Sequence, residues 1–214
     1  MEKRIRPALM RSLYFDAVTF LRSIWAYLFV IAFFIIFWRA TDTISPMYAT
    51  MVFGMAISMA FALQRYTLFY KQTVGFSLTR RSFFLGGLLI KPVYMLFCTV
   101  LTLIGCLLDR SYAIGWMLLI AAMGGLLSAS YGELAGAMVL RWSRMGLVLY
   151  MVLFVVFFMV MSGAYGTFLL RAIVSDTVPD YAAIAAGVGI ASLIVSPLAH
   201  LLAWLLLRKT EVRS

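Results

Sequence analysis

Long apolar stretches, separated by short polar or basic segments, run through most of this chain. A helix needs about 20 mostly apolar residues to cross a hydrocarbon core. Six stretches meet that length with some tolerance: about 23–38, 47–63, 85–108, 112–139, 146–170 and 181–207. The first is short, from Ser23 to Trp38, and Phe20 and Leu21 extend it. Only Arg141-Trp-Ser-Arg144 separates the fourth from the fifth, which predicts a helical hairpin. No period-two alternation marks a membrane β-barrel. The expected fold is all-α, a polytopic membrane protein with six transmembrane helices in one domain spanning residues 1–214.

The basic residues orient these spans. With both termini placed inside, Lys3, Arg4, Arg6, Arg11 and Arg22 precede the first span, and Arg65, Lys71, Arg80, Arg81 and Lys91 lie around the second connection. Arg141 and Arg144 follow the fourth span, and Arg208, Lys209 and Arg213 follow the sixth. Fifteen of the 18 Lys and Arg residues then face the cytoplasm, leaving Arg39, Arg110 and Arg171 outside beside Asp42, Asp109, Asp176 and Asp180. Short loops carry this bias in membrane proteins. The net charge of +10 is therefore a topology signal. Nucleic-acid binding is disfavoured because the charges are dispersed among hydrophobic spans.

Two segments are expected on the inner side. In residues 4–22, Ile5, Leu9, Leu13, Ala17 and Leu21 recur every four residues, while Arg4, Arg11 and Arg22 return to nearly one helical face. The pattern predicts an amphipathic helix in the headgroup layer; a plain basic leader before a signal anchor is the alternative. Pro7 fits its first turn. The first apolar stretch ends in Phe-Trp-Arg rather than at a small-residue cleavage site, so it reads as a retained anchor. The longest inner connection, 64–84, interleaves Arg65, Lys71, Arg80 and Arg81 with Phe69, Tyr70, Phe76, Phe83 and Phe84. Gly75 breaks or caps a helix and Thr79 caps the next. The simplest geometry is a second span that extends inward, a short turn and a re-entry helix. Exposed aromatic and Arg residues suit either a docking element for a soluble partner or an interfacial loop.

Composition narrows the chemistry. Hydrophobic residues are 64% and charged residues 12% of the chain, and mean hydropathy is +1.01, which leaves too little polar surface to solvate a globule. His200 is the single histidine, which excludes His-rich metal sites, and there is no phosphate-cradling Gly-x-x-x-x-Gly-Lys loop. Paired catalytic carboxylates are missing as well. A non-catalytic protein is expected. Cys98 and Cys106, eight residues apart in one span, read as small buried hydrophobes rather than a redox pair.

Function in such a chain is sought first among its intramembrane charges. Lys91 lies about six residues inside the third span, and Glu133 about six to eight residues from the inner end of the fourth. Antiparallel neighbours place them at similar depth, so an ion pair is expected. The alternative has Lys91 snorkelling to the headgroups and Glu133 facing a watery cleft. Ser128, Gly132 and Gly136 form a small-x-x-x-small run that permits close helix approach, inside the bundle or at a homodimer seam. His200 is expected to be a hydrogen-bonded packing residue.

This layout resembles the type-2 permeases of ABC exporters. The local match is Gly75-Phe-Ser-Leu-Thr-Arg-Arg-Ser-Phe-Phe-Leu-Gly86, similar to the Gly-x-(Ser/Thr)-Arg-Arg-x-(aromatic) segment that leads into the third span of many small bacterial members. The resemblance implies an elbow helix at 4–22. It also implies a coupling helix that inserts into a separate ATPase subunit, formed here by Thr73, Val74, Gly75, Phe76, Ser77, Leu78, Thr79, Arg80 and Arg81. It implies a dimer of permease chains in a bacterial inner membrane, with ATP and Mg bound by the partner ATPase and no cofactor in this chain. The cargo would be hydrophobic or amphipathic, a peptide among the options. The chain departs from larger members in lacking a fused ATPase and a sizeable outer domain. The alternative function is a secondary transporter or substrate-binding membrane subunit that uses Glu133 as a proton or ligand site.

Overall fold

The structure is a computed structural model that describes residues 10, 13–14, 16–22, 24–25, 28, 32, 36, 45–70, 80–109, 113–152, 155 and 180–208. Among these residues there is no strand. The described residues form four long helices: α1 (Pro46–Gln64), extended by one π-helical turn at Arg65–Phe69; α2 (Arg80–Asp109); α3 (Ile114–Trp142); and α4 (Tyr181–Arg208). All four are long and apolar enough to cross a membrane, with mean hydropathy between 1.6 and 2.1. The protein is thus a membrane-embedded helical bundle.

Local sequence sets the helix ends. Ser45 is extended and Pro46 opens α1 in the first turn, where its missing N–H costs nothing. α3 stops at Ser143, whose φ of 52° breaks the helical path, and helix resumes from 144 to 152. Tyr131 and Tyr150 approach to 6.2 Å between ring centroids, so the chain doubles back there as a hairpin.

Contacts fix the helix directions. Thr50 meets Gly105, Gly54 meets Cys98 and Arg65 meets Gly87, so α2 runs against α1. Met55 meets Gly124, Met59 meets Gly132 and Leu63 meets Gly136, so α3 runs with α1. Ser130 pairs with Ser196, Glu133 with His200, and Arg141 with the Leu206 carbonyl, so α4 runs with α3. α3 is the hub and packs on each of the other three.

The bundle is apolar on the outside and partly polar within. Leu89, Val93, Leu96 and Val100 of α2 and Ile190, Leu193, Ile194 and Leu201 of α4 are exposed, whereas Ser58, Thr102, Ser130, Lys91 and Glu133 are buried. That inversion suits a hydrocarbon solvent. The expected first and fifth spans fall largely outside the described residues, as does the start of the 4–22 segment; the described positions between 10 and 36 are helical.

Burial adds a detail to the first segment and changes one expectation. The face that this first segment turns to the bundle is Asp16, Phe20, Ile24 and Leu28. Leu21, on the apolar stripe, is 61% exposed, and Ala17 is exposed too, because that stripe faces the surroundings while Phe20 stacks into the Phe61, Tyr94 and Phe97 rings. Arg65 does not belong to a loop. It sits in the π-turn, 3% exposed, because Asp16 offers it an internal counter-charge. The connection between α1 and α2 is therefore shorter than 64–84, with helix through Tyr70 and again from Arg80.

Candidate functional site: a buried charge cluster

Four helices and the first segment each deliver a charged or polar side chain to one point inside the bundle. Glu133 of α3 is the centre and is 2% exposed. The Tyr66 hydroxyl donates to Glu133 Oε1. Lys91 Nζ of α2 lies 2.8 Å from Oε2. His200 Nδ1 of α4 lies 2.8 Å from one carboxylate oxygen and 2.9 Å from the other. Its ring stacks on Phe84, with centroids 3.8 Å apart and planes inclined 21°. A carboxylate approached from three directions by such groups has the partner set of an ionised acid.

A second pair adjoins the first. Arg65 Nε donates to Asp16 Oδ2 at 2.9 Å, and Nη2 donates to the Phe83 carbonyl at 2.7 Å. The guanidinium also lies 4.0 Å above the Phe83 ring, a cation–π distance. Gly87 makes room for both pairs: a Cβ there would fall 2.8 Å from Arg65 Nη1 and 3.1 Å from Glu133 Oε1. A cavity of about 10 Å³ sits among Arg65, Gly87, Lys91, Tyr94 and Glu133, room for roughly one water. With a neutral imidazole, two acids and two bases balance. Buried charges persist in apolar surroundings only when paired in this way.

Helix irregularities fall at the same level. The π-turn carries Arg65 and Tyr66, Pro92 directly follows Lys91, and Pro197 precedes His200 by three residues. A proline inside a helix removes one backbone hydrogen bond, and π-turns interrupt the regular ladder.

Of the residues expected to carry function, the structure brings Lys91 and Glu133 together. Ser128, Gly132 and Gly136 are buried on α3; a Cβ on Gly132 would run into the Met59 backbone, and one on Gly136 would lie 3.1 Å from the Leu63 carbonyl. That face is occupied by α1 within the chain. Thr73, Val74, Gly75, Phe76, Ser77, Leu78 and Thr79 lie outside the described residues. Arg80 and Arg81 open α2 at the arginine-rich end, where Arg80 Nη1 donates to the Arg208 carbonyl at 3.0 Å. Sequence reasoning misses Asp16, Arg65 and Tyr66 as site residues. The available signal is a lone acid in a basic segment, with Phe20 and Ile24 after it at helical spacing.

Cys98 and Cys106 are free and buried. Among the described residues no group of three His, Cys, Asp or Glu side chains converges to hold a metal ion. Comparison with known proteins finds no relative: no family model, no curated protein and no solved structure matches this chain.

Proposed function

We propose that the chain is the membrane-spanning permease subunit of an ATP-driven ABC exporter, powered by a separate ATPase subunit and working as a dimer of permease chains. The observation that supports this reading is that the two helix ends flanking residues 71–79 both touch the buried cluster. On one side stand Arg65, Tyr66 and Tyr70; on the other stand Arg80 and Phe83. The Phe83 ring meets Tyr66 and Tyr70 edge-on at 5.2 and 5.1 Å, and its carbonyl accepts from Arg65. A push on the connection from a soluble motor would therefore reach Glu133 through side chains already in contact.

The helix directions favour six crossings. Asp16 meets Arg65 near the end of α1, whereas α1 begins at the far end of the bundle, an arrangement that fits one crossing ahead of α1. α3 and α4 run the same way, which fits a further crossing between Trp142 and Tyr181. With these two crossings the four described spans would become six, and both termini would lie at the arginine-rich end, the cytoplasmic one by the positive-inside bias. In this reading a bacterial inner membrane holds the bundle, the partner ATPase binds ATP and Mg, and the cargo is hydrophobic or amphipathic, a peptide among the candidates.

The test is copurification with an ATPase encoded beside the chain, followed by Arg80→Glu with Arg81→Glu. The double variant is expected to retain its fold and lose stimulated ATP hydrolysis. Unaltered coupling, or labelling that places the 71–79 connection outside the cell, would overturn the proposal.

A further inference from the structure

The geometry around His200 supports a second inference, independent of the exporter reading. We propose that His200 and Glu133 form a proton-binding site inside the bundle, where the incoming proton competes with Lys91 for the Glu133 carboxylate.

The argument starts from hydrogen-bond valence. His200 Nδ1 faces both oxygens of Glu133, at 2.8 and 2.9 Å. An ionised carboxylate only accepts, so Nδ1 carries the hydrogen. A neutral imidazole has a single N–H, which leaves Nε2 with a bare lone pair. That nitrogen is buried and has no hydrogen-bond partner among the described residues. A ring held at Nδ1 by a carboxylate, with Nε2 bare, is arranged to accept a proton, because the carboxylate stabilises the imidazolium that forms.

The surrounding charges decide how the cluster responds to that proton. Glu133 from α3 meets the ring, and around that carboxylate gather Lys91 from α2 and Tyr66 and Arg65 from α1, with Asp16 neutralising Arg65. The balanced cluster becomes +1 when a hydronium ion protonates Nε2: one O–H bond of the hydronium breaks, one N–H bond forms, water is released, and no other bond in the protein changes. Loss of a cation restores the balance, and Lys91 is the cation able to move. Its Nζ meets Oε2 at 2.8 Å as a single contact, and its flexible stem can carry the ammonium towards the headgroups. Arg65, by contrast, is fixed by Asp16, the Phe83 carbonyl and the Phe83 ring. Pro92 beside Lys91, Pro197 near His200 and the π-turn place bendable points on three helices at this level. The exchange of a proton for Lys91 would thus reach the backbone of α2 and α4.

The chain has one histidine, so ring-¹⁵N histidine in the full-length protein in lipid nanodiscs reports this site alone. The expected spectrum at neutral pH is the Nδ1–H tautomer with an unprotonated Nε2, converting on acidification to a doubly protonated ring while the fold persists. Lys91→Met is expected to move that conversion to higher pH, and Lys91→Arg to leave it close to the native position. Three results would overturn the proposal: an Nε2–H tautomer in the native protein, a ring that stays singly protonated until the bundle unfolds, or an unmoved conversion in Lys91→Met. The first two are read on the unmodified chain and need no variant to fold.

Discussion

The two ends of this bundle are held together by different physics. At the arginine-rich end the interior carries Asp16, Arg65, Tyr66, Lys91, Glu133 and His200, each beside an opposite charge or a hydrogen-bond partner. At the opposite end Met47, Met51, Cys106, Met117, Ile120 and Ala185 form an apolar core, with Asp109 the acid that touches it. Lipid tails are as apolar as those side chains, so sequestering them from lipid drives nothing. The apolar end must rely on close fit: Gly105 sits against Thr50 and the Met47 backbone, and Gly124 against Met55. The polar end relies on groups that have no alternative partner in hydrocarbon. One end is specified by shape and the other by charge, so they should fail in different ways.

The largest effect is expected where charge rules. Glu133→Leu leaves the Tyr66 hydroxyl and the His200 Nδ1–H without their acceptor and the Lys91 ammonium without its counter-charge at once. Removing one member of a buried charged network costs about 3–5 kcal/mol. Unfolding in mixed micelles should show a loss of that size. Adding Lys91→Met to the same variant should return part of it, since the unpaired cation disappears and a side chain of similar length fills the space. Two additive losses would mean that Lys91 and Glu133 are neighbours without being a unit. The charge swap Lys91→Glu with Glu133→Lys sharpens the point: it should outperform either single reversal.

An intermediate effect is expected where shape rules. A Cβ on Gly132 would collide with the Met59 backbone, which cannot step aside as a flexible side chain can. Gly132→Val should therefore force α1 and α3 apart, at a cost of about 1–3 kcal/mol in the same assay. Gly187→Ala is the control, because nothing lies within 4 Å of its added carbon; its effect should stay within about 0.5 kcal/mol. Equal losses at the two glycines would show that the cost comes from helix backbone rather than from close approach.

The contrast also explains how much of the molecule is legible in the chain alone. α1 to α4 follow from length and hydropathy, which need no knowledge of neighbours. The meeting of Lys91 and Glu133 follows from depth along antiparallel helices, a one-dimensional quantity. The positive-inside count gives Arg65 a side of the membrane but no depth, so it reads as a loop residue rather than an interior one. The group that buries Arg65 is Asp16, 49 residues away in sequence, and no periodicity connects them. The π-turn that aims Arg65 and Tyr66 inward leaves no mark in composition. His200 reads as a packing residue because its carboxylate partner lies 67 positions earlier. Pair chemistry across long separations is the illegible part; span chemistry is not.

The smallest effect should appear at the apolar end, at its directed contact with Asp109. Asp109 Oδ2 accepts the Met47 N–H at 2.8 Å and also the Ser45 hydroxyl. The last residue of α2 thereby caps the start of α1, satisfying an N–H that has no partner inside its own helix. Its negative charge also faces the positive end of the α1 dipole. Asp109→Asn keeps an acceptor and loses the charge, so the cost should be about 0.3–1 kcal/mol. Asp109→Ala loses both and should cost about 0.5–2 kcal/mol. Amide exchange should locate the damage: faster at Met47–Met51, the first turn of α1, and unchanged at Arg65–Phe69. Equal acceleration in both places would mean that the two ends share one network, because a loss confined to a helix cap has no route to a cluster held by its own charges.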